Sequence, residues 1–254
     1  GTSYRHLTIW DKGEVVELTP PHDVLGQVIG QYLPKTEALR EMMKKSYDIL
    51  SNHPINVERM KKGLNPANSI WFWGAGTRPA LAPFVEKTGH TGAMISAVDL
   101  LKGIAVGADM KVVEVEGANG GLDTNYEGKA DAAVEALLKD DLDFAYIHLE
   151  APDEMGHQGS FERKVQAIEN LDKRIIKRVT EQLEAAGTDF RMLVLPDHPT
   201  PVAIRTHVSD PVPYMLYDST NKQSHTWNYN EKEAQESGNY IDKGYTIINH
   251  LFEK

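Results

Sequence analysis

The sequence predicts an α/β protein with a doubly wound, mostly parallel sheet, preceded by part of a separate α+β domain. Three observations point there. From about residue 66, short apolar runs recur: SIWFW (69–73), GAMIS (92–96), KVVEV (111–115), DFAYIHL (143–149), RMLVLP (191–196) and VPYMLY (212–217). Between several of them lie segments with helical spacing, and strands that alternate with helices build a parallel sheet covered by those helices. The first 65 residues lack this alternation. The expected division is therefore 1–65 and 66–254.

In chain order, residues 4–18 (YRHLTIWDKGEVVEL) alternate apolar and polar around Asp11-Lys12-Gly13, the pattern of a β-hairpin. TPPHD (19–23) is a loop. Residues 35–50 place Leu39, Met42, Met43, Tyr47 and Leu50 at helical spacing, with Thr36 as N-cap. Further helices are expected at about 97–107, 126–139, 161–186 and 239–252. The polar stretch 218–238 reads as a surface excursion.

Composition narrows the function classes. The chain has 254 residues, 41% hydrophobic and 25% charged, with a formal net charge of −10. An acidic chain is a poor partner for nucleic acid or anionic membrane, although it leaves room for a small phosphorylated substrate in a local basic pocket. There are no cysteines, which removes disulfides and thiolate metal sites. No apolar run approaches the roughly 18 residues of a membrane span, and the N-terminal GTSYRHL lacks the apolar core of a signal peptide.

Polar clusters follow two of the apolar runs. DFAYIHL leads into Glu150-Ala-Pro-Asp153 and on to His157. RMLVLP leads into Asp197-His198, with His207 nine residues after His198. In open α/β sheets, ligands bind beyond the carboxyl ends of the strands. Oxygen and imidazole donors gathered there suit Zn²⁺, Mn²⁺ or a related ion. The plain alternative is two solvated loops. Gly156 and Gly159 argue for a turning loop around Asp153 and His157 rather than a helix. Trp73-Gly-Ala-Gly-Thr-Arg78 offers backbone N–H groups and a guanidinium to an anion, though a turn with a surface arginine explains it equally well. Lys129 falls near the start of a helix, where a surface lysine is the ordinary explanation.

PDEMGHQG followed by LPDHPTPVAIRTHVSDPVPYMLYD resembles the metal-binding half of the alkaline phosphatase superfamily. TPPHD, NPANSIWFWGAGTRP, ISAVDLLKGIAVGADM and GLDTNYEGKADAAVEAL narrow the resemblance to the archaeal-type, cofactor-independent phosphoglycerate mutases, some of which carry a homoserine kinase label. It covers nearly the whole chain. It implies an alkaline phosphatase-like sheet in 66–254 and part of a substrate cap in 1–65. It also implies two divalent metal ions (Mn²⁺ first, Zn²⁺ or Mg²⁺ otherwise) and no use of 2,3-bisphosphoglycerate. Asp153, His157 and His207 would ligate one ion, and Asp197 and His198 the other. Arg78 would hold the substrate phosphate, and Lys129 would neutralise the transferring phosphoryl group.

The implied reaction interconverts 2- and 3-phosphoglycerate through a phosphoserine, in the cytoplasm, with no nucleic-acid or membrane partner. His22 and Asp23 are the candidates for acid/base work in the cap, ahead of Arg5 and His6. No serine here matches the family's nucleophile: Ser69, Ser96 and Ser209 sit in other motifs. The family's first core strand, with its metal-binding Asp, is not matched either. The expectation is a C-terminal fragment, inactive alone and prone to self-association through an exposed sheet edge. A phosphatase or phosphodiesterase of the same superfamily is the alternative, and a non-enzymatic module the next. No GxxxxGK[ST] loop supports a kinase.

Overall fold

The computed structural model describes residues 6–24, 26–223 and 226–253, with the His22 side chain outside that description. The chain separates into two compact units, one ending at Pro79 and one beginning at Ala80.

In the first unit the expected hairpin is not formed. Asp11-Lys12 does turn, with Lys12 at φ 56° and Gly13 N–H donating to the Trp10 carbonyl at 3.1 Å, yet described residues 6–20 carry no strand. Leu7 and Ile9 are more than four-fifths exposed. A two-stranded ribbon with no apolar face to bury is marginal in water, which accounts for the missing ladder. SIWFW also forms no strand. Its polar groups are met by side chains and loops instead: Ile70 N–H donates to Ser46 Oγ at 3.0 Å, and Trp71 Nε1–H to the Thr19 carbonyl at 2.7 Å.

Helix α1 (Glu37–Ser51) buries Leu39, Met43 and Ser46, one face at i, i+4, i+7. Thr36 stands at its N-cap, but its side chain makes no capping bond. Helix α2 (Pro54–Lys61) starts with proline at its first position and buries Asn56. The Asn56 amide donates to the carbonyls of Leu50 and Ala67 (2.8 and 2.9 Å) and accepts from Ala67 N–H at 2.9 Å. Alanine here would orphan both backbone groups of Ala67, whereas the Leu50 carbonyl keeps the His53 N–H at 3.1 Å, so Asn56→Ala is expected to cost about 2–3 kcal/mol by urea denaturation; a cost under about 0.5 kcal/mol would refute this.

The second unit is α/β, with a parallel sheet and helices. After α3 (Phe84–Thr88), strands β1 (Gly92–Ile95), β2 (Lys111–Val112) and β3 (Phe144–Ile147) form a parallel sheet in the order β2-β1-β3. Ala93 faces Lys111, and Ile95 faces Ile147. β1 is buried throughout. Helix α4 (Asp99–Gly107) links β1 to β2, and α5 (Tyr126–Leu138) links β2 to β3. The alanines of α5 let it lie close on the sheet: Ala133 and Ala136 join Ala93 and Ile95 in one buried cluster. Asn125 caps α5, its Oδ1 accepting from Gly128 N–H at 2.9 Å.

Beyond β3 come α6 (Ala151–His157), α7 (Phe161–Leu171), a π-helical turn (Asp172–Ile176) and α8 (Lys177–Ala185). The continuous helix expected over 161–186 is thus interrupted in register. Arg174 and Arg178 each reach a carboxylate of α5 through two nitrogens, Glu127 at 2.6 Å and Asp131 at 2.7 and 2.8 Å. The second core cluster joins α5, α6 and the 161–185 helix: Tyr126, Ala130, Met155, Ala167, Ile175, Val179 and Leu183 are buried together.

Strands β4 (Arg191–Val194) and β5 (Met215–Asp218) were expected in the parallel sheet. They form an antiparallel pair of their own. Helix α9 (Glu231–Glu236) lies in the polar 218–238 stretch, and the last helix shortens to α10 (Ile247–Phe252) after a 3₁₀ turn. Among the described residues no helix is long and apolar enough to cross a membrane.

Candidate metal centre

Asp153, Gly156 and His157 lie in α6, not on the loop that two nearby glycines suggested. The glycines serve packing instead. A Cβ on Gly156 would run into the Thr200 carbonyl oxygen and come within 3.1 Å of Lys164 Nζ. Gly159 follows the helix at φ 69°, and a Cβ there would meet the Arg205 guanidinium. Gly156 therefore admits the backbone at Thr200 against α6, while Gly159 supplies the left-handed turn that ends the helix.

That approach brings three donors together. Asp153 Oδ2 lies 3.3 Å from His157 Nε2, and Asp153 Oδ1 lies 3.2 Å from His207 Nε2. The two Nε2 atoms are 3.1 Å apart. Donor atoms about 2.1 Å from a shared ion, at tetrahedral or octahedral angles, stand about 3.0–3.4 Å from one another, so the spacing suits a divalent cation. The His157 tautomer agrees. Its Nδ1 is 3.0 Å from the Arg205 carbonyl, which only accepts, so Nδ1 carries the hydrogen and Nε2 presents a lone pair. With the His207 Nε2 only 3.1 Å from that lone pair, a proton or a cation must lie between the two nitrogens.

Asp197 and His198 stay outside this group of three, although the His198 ring lies against His207 with centroids 3.7 Å apart and planes tilted by 34°. Asp197 Oδ2 is 3.4 Å from His198 Nε2, and the Asp197 carboxylate is two-thirds exposed. Thr200, buried, donates its hydroxyl to Asp153 Oδ1 and lies 3.3 Å from His198 Nδ1.

Lys129 is not a surface lysine. It is fully buried on α5, and its Nζ donates to the His148 carbonyl at 3.0 Å. Burial pushes its pKa below the usual lysine value; the Glu150 carboxylate opposes this and Lys102 adds to it. The cluster at the ends of β1 and β3 also holds His148 and Ser96, which the sequence did not single out. His148 Nδ1 is 3.3 Å from Ser96 Oγ, and its N–H donates to the Ile95 carbonyl at 2.9 Å, so register alone sets the two side by side. Burial lowers the His148 pKa, against the pull of Asp197; Lys129 lowers it further, and Asp153 opposes. Period-2 strand register was the only sequence signal that could have paired them.

Arg78 and Asp23 belong to the first unit. Arg78 is exposed on irregular chain, and Asp23 is exposed in a 3₁₀ turn, Pro21–Val24. The His22 side chain and Arg5 lie outside the described residues, and His6 is exposed.

Residues 8–253 match the family described as the Metalloenzyme superfamily. A 2,3-bisphosphoglycerate-independent phosphoglycerate mutase of Methanosarcina barkeri is 48% identical over 94% of this chain and 61% of its own length. A probable mutase of the same name from Geobacter sulfurreducens is 44% identical over all of this chain and 64% of its own. This chain therefore spans less than two-thirds of the length of these relatives. A solved Pyrococcus horikoshii protein superposes with a TM-score of 0.68 at 33% identity, over 79% of this chain and 51% of that one. A cofactor-independent phosphoglycerate mutase of Thermoplasma acidophilum shares the fold, with a TM-score of 0.54 at 23% identity, over 94% of this chain and 58% of that one. The chain belongs to the Metalloenzyme superfamily.

Proposed function

We propose that these residues form the ion-binding part of a cofactor-independent phosphoglycerate mutase, which interconverts 2- and 3-phosphoglycerate through a phosphoserine in the complete protein. The observation that carries the reading is the convergence of Asp153, His157 and His207 at ion-like spacing, in a chain nearly half identical to proteins named as such mutases. Asp197 and His198 are proposed to hold a second divalent ion, with Mn²⁺ the first candidate for both. When bound, such ions stabilise the charge on entering and leaving phosphoryl oxygens and lower the pKa of an attacking hydroxyl.

The protein's own groups do the rest. Lys129, fixed by the His148 carbonyl, offers one positive charge to the equatorial oxygens of the transferring group. Arg78 forks the substrate phosphate. Asp23 or His22 moves the proton of the glycerate hydroxyls. No serine of this chain matches the phosphate acceptor, so the 254 residues alone are expected to bind ions without turning substrate over. The proposed setting is cytoplasmic, and an exposed strand edge is the proposed surface for self-association.

The decisive assay follows 3-phosphoglycerate in the complete protein with enolase coupling. Isomerisation without free phosphate is expected; steady phosphate release with no isomerisation would overturn the mutase reading in favour of a phosphatase. In the same assay Lys129→Met is expected to lower kcat about 10²–10³-fold, with ion affinity unchanged. Turnover within a factor of three of the parent would remove Lys129 from the mechanism.

A further inference from the structure

We infer that Thr200 is a positioning residue shared by both donor sets, and that its single hydroxyl proton decides which nitrogen of His198 is open to a cation. The inference rests on the metal reading above. Thr200 Oγ1 has one proton and two lone pairs. The proton goes to Asp153 Oδ1, an oxygen that only accepts when ionised. Towards His198 Nδ1, 3.3 Å away, the hydroxyl has only a lone pair left to offer. The His198 hydrogen therefore sits on Nδ1, and Nε2 is bare. Nε2 then faces Asp197 Oδ2 at 3.4 Å, the separation of two donors across one ion, and not that of a well-made hydrogen bond. One hydroxyl thus orients a carboxylate of the first set and an imidazole of the second.

The hydroxyl is itself held in place. Thr200 is 3% exposed. Lys164 Nζ, from α7, donates to the Thr200 carbonyl at 2.6 Å. Gly156 supplies the space in which that carbonyl meets α6. Lys164 hydrogen-bonds to Thr200 rather than to either donor set, and feels the Asp153 charge only at a distance. Burial lowers its pKa, with Asp153 and then Glu231 opposing.

Groups that orient a metal ligand change affinity about 10–100-fold when removed. The test titrates the 254-residue chain with Co²⁺ and follows its visible absorption. Thr200→Val, nearly the same shape without the hydroxyl, is expected to weaken Co²⁺ uptake by about 10–100-fold and to alter the band shape. Thr200→Ser should restore both. A valine variant that titrates like the parent, or a serine variant as weak as valine, overturns the inference. Should the valine variant fail to fold, ¹⁵N-imidazole NMR of the ion-free parent decides instead. His198 with hydrogen on Nδ1 is expected, and hydrogen on Nε2 overturns it. Parent protein that takes up no Co²⁺ would sink the metal reading, while the His198 tautomer would still decide the hydroxyl's role.

Discussion

Asp153→Ala is expected to abolish the stabilisation that Mn²⁺ gives this protein. An ion that binds only the folded state adds about 2.7 kcal/mol at a hundredfold excess over its Kd, and that increment should appear in the parent as a rise in Tm. Asp153 faces both imidazoles, at 3.3 and 3.2 Å, and supplies the only negative charge in the three-donor group. Without it, two imidazoles whose nitrogens are 3.1 Å apart remain, with no carboxylate between them. Asp153→Asn keeps the shape but loses the charge, and should fall between parent and alanine. Equal Mn²⁺-dependent Tm rises in parent and alanine variant would refute the site.

Gly156→Ala should be among the most damaging one-carbon changes in the second unit. The added Cβ meets the Thr200 carbonyl, a backbone oxygen with no rotamer to escape into, and approaches Thr200 Cγ2 at 2.9 Å. Overpacking of this kind costs about 1–3 kcal/mol. Whatever shift relieves it moves the segment carrying His207 away from α6, so ion affinity should fall together with stability. Gly103→Ala is the matched control. That glycine lies in α4 with no atom within 4 Å of where an alanine Cβ would stand, and helix propensity alone should make alanine stabilising by about 0.5–1 kcal/mol. Equal denaturation midpoints for the two variants would show that the close approach at Gly156 carries no cost.

The legible parts of this fold are those in which a residue's environment is local. β1 and β3 announce themselves as continuous apolar runs, the former buried throughout, and α5 because alanines and an asparagine cap sit at helical spacing. SIWFW is as apolar, yet its partners are Ser46 and Thr19, far off in sequence, and it forms no strand. The pairing of β4 with β5 depends in the same way on a return of the chain across some twenty residues. At the centre, the types of Asp153, His157 and His207 were readable, because donor chemistry is intrinsic to a side chain. Gly156 misled: in isolation it disfavours helix, whereas here close contact with Thr200 requires it. Lys129 misled in the opposite sense, since an exposed and a fully buried lysine look alike in sequence. Thr200 and Lys164 carried no signal, because their roles lie in what they touch.

The π turn at Asp172–Ile176 bears on how this region tolerates change. Arg174 and Arg178 reach Glu127 and Asp131 on either side of Lys129 because one extra residue sets the phase of the long helix. Removing or adding a single residue there would swing every later side chain by about 100° around the axis, carrying Arg178 off its carboxylate and Val179 and Leu183 out of the core. Between 160 and 185, therefore, spelling is negotiable and length is not. A lineage could exchange most letters of this helix one at a time, but a single-codon deletion would dismantle in one step the brace behind the buried lysine.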